Sequence, residues 1–186
     1  MKFKALFLIV FVYQLNFGQV ETTINETQTP SQNFTYTQFD IVVPFKGNKN
    51  RGAYYSDGSR DDNWFVPDGL GAKFGYGVHY KKWVGLSANS GFDFYGSYKL
   101  VTVPIFTNLR LSPKIGEETR ITLQYGIGKS FAIGRGHLQG SYQKMSIGLE
   151  FEGICLFIEG NNHGYTVGNS IDEVYSINLG FCLFSF

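Results

Sequence analysis

Residues 145–186 read MSIGLEFEGICLFIEGNNHGYTVGNSIDEVYSINLGFCLFSF. Counted in twos, this run separates into unlike faces. One carries Met145, Ile147, Leu149 and Phe151, then Ile154, Leu156 and Ile158, then Tyr175, Ile177, Leu179, Phe181 and Leu183. The other carries Lys144, Ser146, Gly148 and Glu150, then Cys155, Phe157, Glu159 and Asn161, then Ser176, Asn178, Gly180 and Cys182. Period-two alternation is the signature of a β-strand whose faces meet different surroundings. The parity flips between Phe151 and Ile154, as a two-residue turn at Glu152-Gly153 requires, and a second turn at Gly168-Asn169 leads into the last strand. These turns fix a register that sets Phe151 against Ile154, Leu149 against Leu156 and Ile147 against Ile158. Across the second turn it sets Ile158 against Leu179, Leu156 against Phe181 and Ile154 against Leu183. Apolar meets apolar at each rung, which a slipped register destroys. On the opposite face Phe157 falls between Gly148 and Gly180, and Cys155 falls opposite Cys182. The stretch is predicted to be a three-strand meander.

Working outward, five earlier segments alternate in the same way. The first, near Phe34 to Phe45, sets Phe39, Ile41, Val43 and Phe45 against Gln38 and Asp40. Lys46 to Asp68 reads as a long polar loop. Leu70 to Tyr80 sets large residues against Gly71, Lys73, Gly75, Gly77 and His79, and a tight turn follows at Lys81 and Lys82. The third sets Val84, Leu86, Ala88, Phe92 and Phe94 against Gly85, Ser87, Asn89 and Asp93. The fourth sets Val101, Val103, Ile105, Leu109 and Leu111 against Thr102, Pro104, Asn108 and Arg110, and the fifth runs from Arg120 to Ile133.

Eight strands follow from this count. Alternation also fits a soluble lipocalin-like barrel or a sandwich, so the choice rests on other features. The segments are about 11–15 residues long, whereas soluble strands run to about 5–6 and a tilted membrane-spanning strand needs about 9–11. Glycine studs the polar face, where a narrow filled barrel needs small residues beside large ones. The chain closes on Phe186, an aromatic end common in bacterial outer-membrane barrels. An all-β, eight-stranded antiparallel up-and-down transmembrane barrel is predicted over residues 34–186. The Lys46–Asp68 loop then lies outside, while Lys81-Lys82, Ser112–Glu118, Glu152-Gly153 and Phe186 lie on the periplasmic side.

The start of the chain reads as an address. Met1-Lys2-Phe3-Lys4 is basic, and the apolar run from Ala5 to Val12 that follows is too short for a spanning helix. Residues 1–19 are read as a cleaved signal peptide and residues 20–33 as a disordered polar lead-in. No cysteine near the cut suggests a lipid anchor. Asn25 and Asn33 open short glycosylation sequons, which are frequent by chance. A net charge of +1 suggests no nucleic-acid partner.

The export signal, the alternating segments ITLQYGIGKSF (121–131) and MSIGLEF (145–151), and the closing YSINLGFCLFSF (175–186) together resemble the small OmpA/OmpX-like outer-membrane β-barrels of Bacteroidota. That resemblance implies the cell outer membrane as location, its lipid as solvent, and assembly by the barrel-assembly machinery. In one respect the chain departs from the pattern: Gly180 and Asn178, not apolar residues, share the parity of Phe186. Some barrels of this size are lipid A deacylases that use a His and a Ser two residues apart. Here Tyr165 stands two past His163, and neither His79 nor His137 has such a serine.

A non-enzymatic role in envelope structure or surface contact is therefore expected, with no catalytic, cofactor or metal site. The alternatives are a lipid-modifying barrel enzyme and a soluble periplasmic binding barrel. Arg110, Arg120, Glu150, Glu159 and His79 are expected to form a lumen charge network, since unpaired like charges cannot share a dry interior. Cys155 and Cys182 are candidates for a cross-strand disulfide in an oxidising compartment, or else for two buried thiols. Asp57-Gly-Ser-Arg-Asp-Asp-Asn lacks the full ladder of a calcium loop and reads as solvated acids. Tyr54, Tyr55 and Trp64 are the contact candidates in the outer loop, because aromatics are favoured at interfaces.

Overall fold

The structure, a computed structural model, describes residues 34–134, 138–167 and 173–186. The residues read above as leader and lead-in, His137, and the expected turn at Gly168-Asn169 lie outside these. The described residues form β1 (Thr35–Gly47), β2 (Phe65–Pro67), β3 (Gly69–Tyr80), β4 (Val84–Tyr95), β5 (Leu100–Leu111), β6 (Thr119–Ile133), β7 (Gln139–Phe151), β8 (Ile154–Thr166) and β9 (Glu173–Ser185). Sequential neighbours pair antiparallel from β3 to β9, β1 pairs with β3, and β1 closes the sheet on β9. The short β2 pairs with the end of β1 beyond that closure. The result is an eight-stranded barrel with one added strand.

The register read from the last three strands holds rung by rung. Leu149 pairs with Leu156 and Ile147 with Ile158; Leu156 pairs with Phe181 and Ile158 with Leu179. Glu152 and Gly153 turn the chain with φ of 49° and 86°, the doubly positive pair that matches the twist of two joined strands. Lys81 and Lys82 also have positive φ, 50° and 58°, between β3 and β4.

The two faces have opposite character. Ile147, Leu156, Ile158, Ile177 and Leu179 point outward and stay exposed, as do Phe74, Leu86, Ile105 and Ile127 on the earlier strands. Gln38, Asp40, Lys73, Asp93, Arg110, Lys144, Glu150 and Glu159 point inward and are buried. A water-soluble chain rarely exposes an apolar area beyond a few hundred Å², and here the apolar face runs round the whole barrel. Each such side chain gains about 1.5–3 kcal/mol on leaving water, so the stable surroundings for this surface are lipid tails. Thirteen residues in β1, at about 3.3 Å each and tilted by about 40°, cover about 33 Å, the thickness of a bilayer core. Tyr80 and Trp83 stand exposed at the end of β3 and just before β4, where aromatic residues suit the lipid–water boundary. The fold is a transmembrane barrel.

Its interior is fitted by pairing rings with missing side chains. Phe157 sits between Gly148 and Gly180 in register. A Cβ at Gly180 would fall on the Phe157 ring, and one at Gly85 would stand 3.0–3.1 Å from the Tyr36 ring. The turn end is closed by aromatics: Phe186 stacks on Tyr36 with centroids 5.8 Å apart and meets His79 edge-on at 5.0 Å. The inward parity of Phe186, shared with Cys182 and Phe184, is what takes it into this cluster.

Candidate functional site

Charge in the lumen gathers at two levels. Halfway along, Glu159 on β8 accepts from Lys73 on β3 at 2.7 Å and lies 2.8 Å from Lys144 on β7. Lys73 is also 3.4 Å from Asp93, and Lys144 is 3.2 Å from Asp40. Gln38 donates to Asp40 at 2.8 Å and to Gln124 at 3.0 Å, and Asn178 donates to Glu159 at 3.1 Å. Nearer the turn end Arg110 pairs with Glu150, which also accepts from Ser112 at 3.2 Å and Thr122 at 3.1 Å. Aromatic faces complete the guanidinium's surroundings, with Phe184 at 4.1 Å. Among the described lumen residues, the cations Lys73, Lys144 and Arg110 therefore meet the carboxylates Asp40, Asp93, Glu150 and Glu159. An interior of this width, filled by such pairs, is a cross-braced plug.

The five residues expected to share one network do not form it as a set. Arg110 and Glu150 pair, but Glu159 belongs to the lysine level. Arg120 lies at the edge of the lumen and donates to the Ser112 carbonyl at 3.1 Å, because β6 starts there and its side chain reaches the backbone of the preceding link. His79 lies at the turn end, where its Nδ1 accepts from the Lys82 backbone at 3.2 Å. Lys73 and Lys144 were visible on the polar parity. Their partnership was not, because it links β3 to β7 and β8 across the lumen.

A second arrangement escapes any search by spacing. His163 Nδ1 is 2.7 Å from Ser130 Oγ, its Nε2 is 2.8 Å from Tyr95 OH, and Asp93 lies 3.8 Å from the same nitrogen. The serine is not two residues from the histidine but on β6, with β7 between. Gly140 on β7, the register partner of Ser130, permits the link. A Cβ there would strike the carbonyls of His163 and Gly164. Serine, histidine and aspartate are thus close, yet both Ser130 and His163 are wholly buried, with the rings of Tyr95, Tyr142 and Tyr165 around the imidazole.

Cys155 and Cys182 are register partners, both buried, and stand unbonded. In the Lys46–Asp68 loop a short hairpin forms. Gly52 N donates to Asp61 O at 2.6 Å, Asp61 N to Ala53 O at 2.9 Å and Tyr55 N to Ser59 O at 2.8 Å. Its acids are engaged separately: Asp57 accepts from Ser59, Asp62 pairs with Arg60 at 3.2 Å, and Asp61 accepts from Tyr55 OH at 2.9 Å. Hydrogen bonds, that from Asn48 first and that from Tyr55 next, hold the Asp61 carboxyl below its usual range. Tyr54, Tyr55 and Trp64 all stand exposed, Tyr54 most at 73%, and Arg51 lies 3.2 Å over the Trp64 ring.

No family model and no curated relative matches this chain. Among solved structures it is similar to Neisserial surface protein A (NspA), with a TM-score of 0.56 and 13% identity over 81% of this chain and 95% of that one. It is also similar to the outer membrane enzyme PagL, with a TM-score of 0.52 and 10% identity over 78% of this chain and 98% of that one. At such identities the likeness carries the fold and no more. The chain has the fold of the small eight-stranded outer-membrane barrels.

Proposed function

We propose that this chain is an integral barrel of the cell outer membrane with no catalytic role, presenting the hairpin of the Lys46–Asp68 loop at the surface. On this reading it is exported by its leader, inserted by the barrel-assembly machinery, and related to the OmpA/OmpX-like barrels of Bacteroidota. The observation that carries it is the contrast between lumen and loop. Lys73, Lys144 and Arg110 in the lumen are buried and paired with carboxylates, whereas Tyr54, Tyr55 and Trp64 are exposed on a hydrogen-bonded hairpin. Trypsin added to intact cells is expected to cut within the loop, at Lys49, Arg51 or Arg60, and to leave the barrel in the membrane fraction. Protection of the loop on intact cells, with cleavage only after lysis, rejects the reading.

The proximity of Ser130, His163 and Asp93 favours one alternative, a lipid-modifying enzyme. A nucleophile and base must reach substrate, and here the imidazole is enclosed. Lipid A from cells lacking the protein is expected to keep its acyl pattern. A changed pattern that Ser130→Ala also produces would favour the enzyme.

The register further supports a bridge between Cys155 and Cys182 in an oxidising compartment. Intact protein from the envelope is expected to react with a thiol reagent at both cysteines only after reduction. Equal labelling without reductant removes the bridge.

A further inference from the structure

Beyond the Phe45–Ile177 pair, the seam between β1 and β9 comes apart. Lys46 and Gly47 pair with Val66 and Phe65 of β2 and no longer with β9, while Tyr175 and Ser176 pair only with β8. A cleft of about 1860 Å³ opens there, reaching from Tyr95 and Ser176 at the lumen mouth to Met145 and Ile177 on the outer wall. Tyr125, Met145, Gly160, Ile177 and Phe45 are successive register partners along that wall. Gly160 makes a dent in the row, since nothing lies within 4 Å of the place a Cβ would take. The start of the loop overhangs it, with Lys49, Arg51 and Trp64 lining the upper edge.

Charge on that edge is unbalanced. Lys46 is paired with Asp68 at 2.6 Å, while Asp61 accepts from the neutral Tyr55 hydroxyl and keeps its own charge, so the edge as a whole carries one positive charge in excess. Lys49 and Arg51 have no carboxylate partner among the described residues. The cleft thus has an apolar floor on the lipid-facing wall and two cations, one of them a guanidinium suited to forked phosphate contacts, at its polar rim. Because the floor belongs to the membrane-spanning wall, a soluble partner cannot reach it.

We propose that this cleft seats one phosphate-bearing membrane lipid, its headgroup on Lys49 and Arg51 and an acyl chain along Met145, Gly160 and Ile177. The inference rests on the barrel lying in a bilayer, which the outward apolar face already requires, and it is independent of any surface partner. The test is native mass spectrometry of the barrel released from nanodiscs holding equal amounts of phosphatidylglycerol and phosphatidylcholine with identical chains. One retained phosphatidylglycerol per barrel is expected. Retention should fall roughly tenfold or more in Lys49→Ala/Arg51→Ala, which removes both basic groups from the rim. It should fall as well in Gly160→Phe, which fills the dent, and stay unchanged in Lys114→Ala at the opposite end. Gly160 faces open space, so heat-modifiable gel migration should show that variant folded. Equal retention of the two lipids, or undiminished retention in either cleft variant, overturns the proposal.

Discussion

Glu159→Gln is expected to destabilise the barrel by about 3–5 kcal/mol, the cost of leaving buried charge without its counterion. The carboxylate lies 2.7 Å from Lys73 and 2.8 Å from Lys144, and all three side chains are sealed from solvent. Glutamine keeps the shape but removes the charge that offsets two ammonium groups. Among the described residues, Asp93 at 3.4 Å from Lys73 and Asp40 at 3.2 Å from Lys144 remain as their carboxylates. Urea unfolding in detergent, followed by the loss of the fast-migrating folded band, measures the effect. Glu118→Gln, in the exposed β5–β6 link, should stay within about 0.5 kcal/mol of the parent. Replacing all three groups together, Lys73→Met with Lys144→Met and Glu159→Leu, should recover most of the loss, since a packed apolar plug often equals a buried ion network. A Glu159→Gln barrel as resistant as the parent would show that water reaches the lysines.

Gly180→Val should be nearly as damaging, for a steric reason. The ring of Phe157 occupies the space where a β-carbon would stand, and β8 cannot retreat because Ile158 and Leu156 hold its register against β9. Overpacking of this kind costs about 1–3 kcal/mol. Phe157→Ala should restore stability in the double variant, giving a large coupling term of the kind that contacting residues show. Gly160→Val is the internal comparison: the same substitution on the outward face meets nothing and should leave folding intact. If Gly180→Val is tolerated and Gly160→Val is not, then glycine faces lipid and the inside and outside of the barrel are exchanged.

Much of this architecture was legible in residues 145–186. The two-residue turn at Glu152-Gly153 set β7 and β8 in register, the apolar rungs placed β9 beside them, and parity sorted the side chains into two faces. Reading the polar face as a lumen also explained Phe157 between its glycines. The charge network was read less well. Arg110 and Arg120 are near in sequence and share a parity, which suggested one cluster, yet Arg120 is at the lumen's edge on a backbone carbonyl. Ser130 escapes as the partner of His163 because spacing within one strand cannot join β6 to β8, and Gly140, the residue that lets them meet, carries no chemistry of its own.

The alternating sequence by itself determined the strands, their pairing order and which side chains share a face, because these depend on neighbours two residues apart or across one turn; that the apolar face turns outward was decided by the closed barrel. Only the closed barrel decided which charges meet, since Lys73, Lys144 and Glu159 come from three strands and their distances depend on the width and tilt of the whole sheet. Likewise only the folded loop shows that β1 leaves β9 beyond Phe45. Whether a strand edge stays paired depends on where its hairpin leans, and no local pattern of residues encodes that.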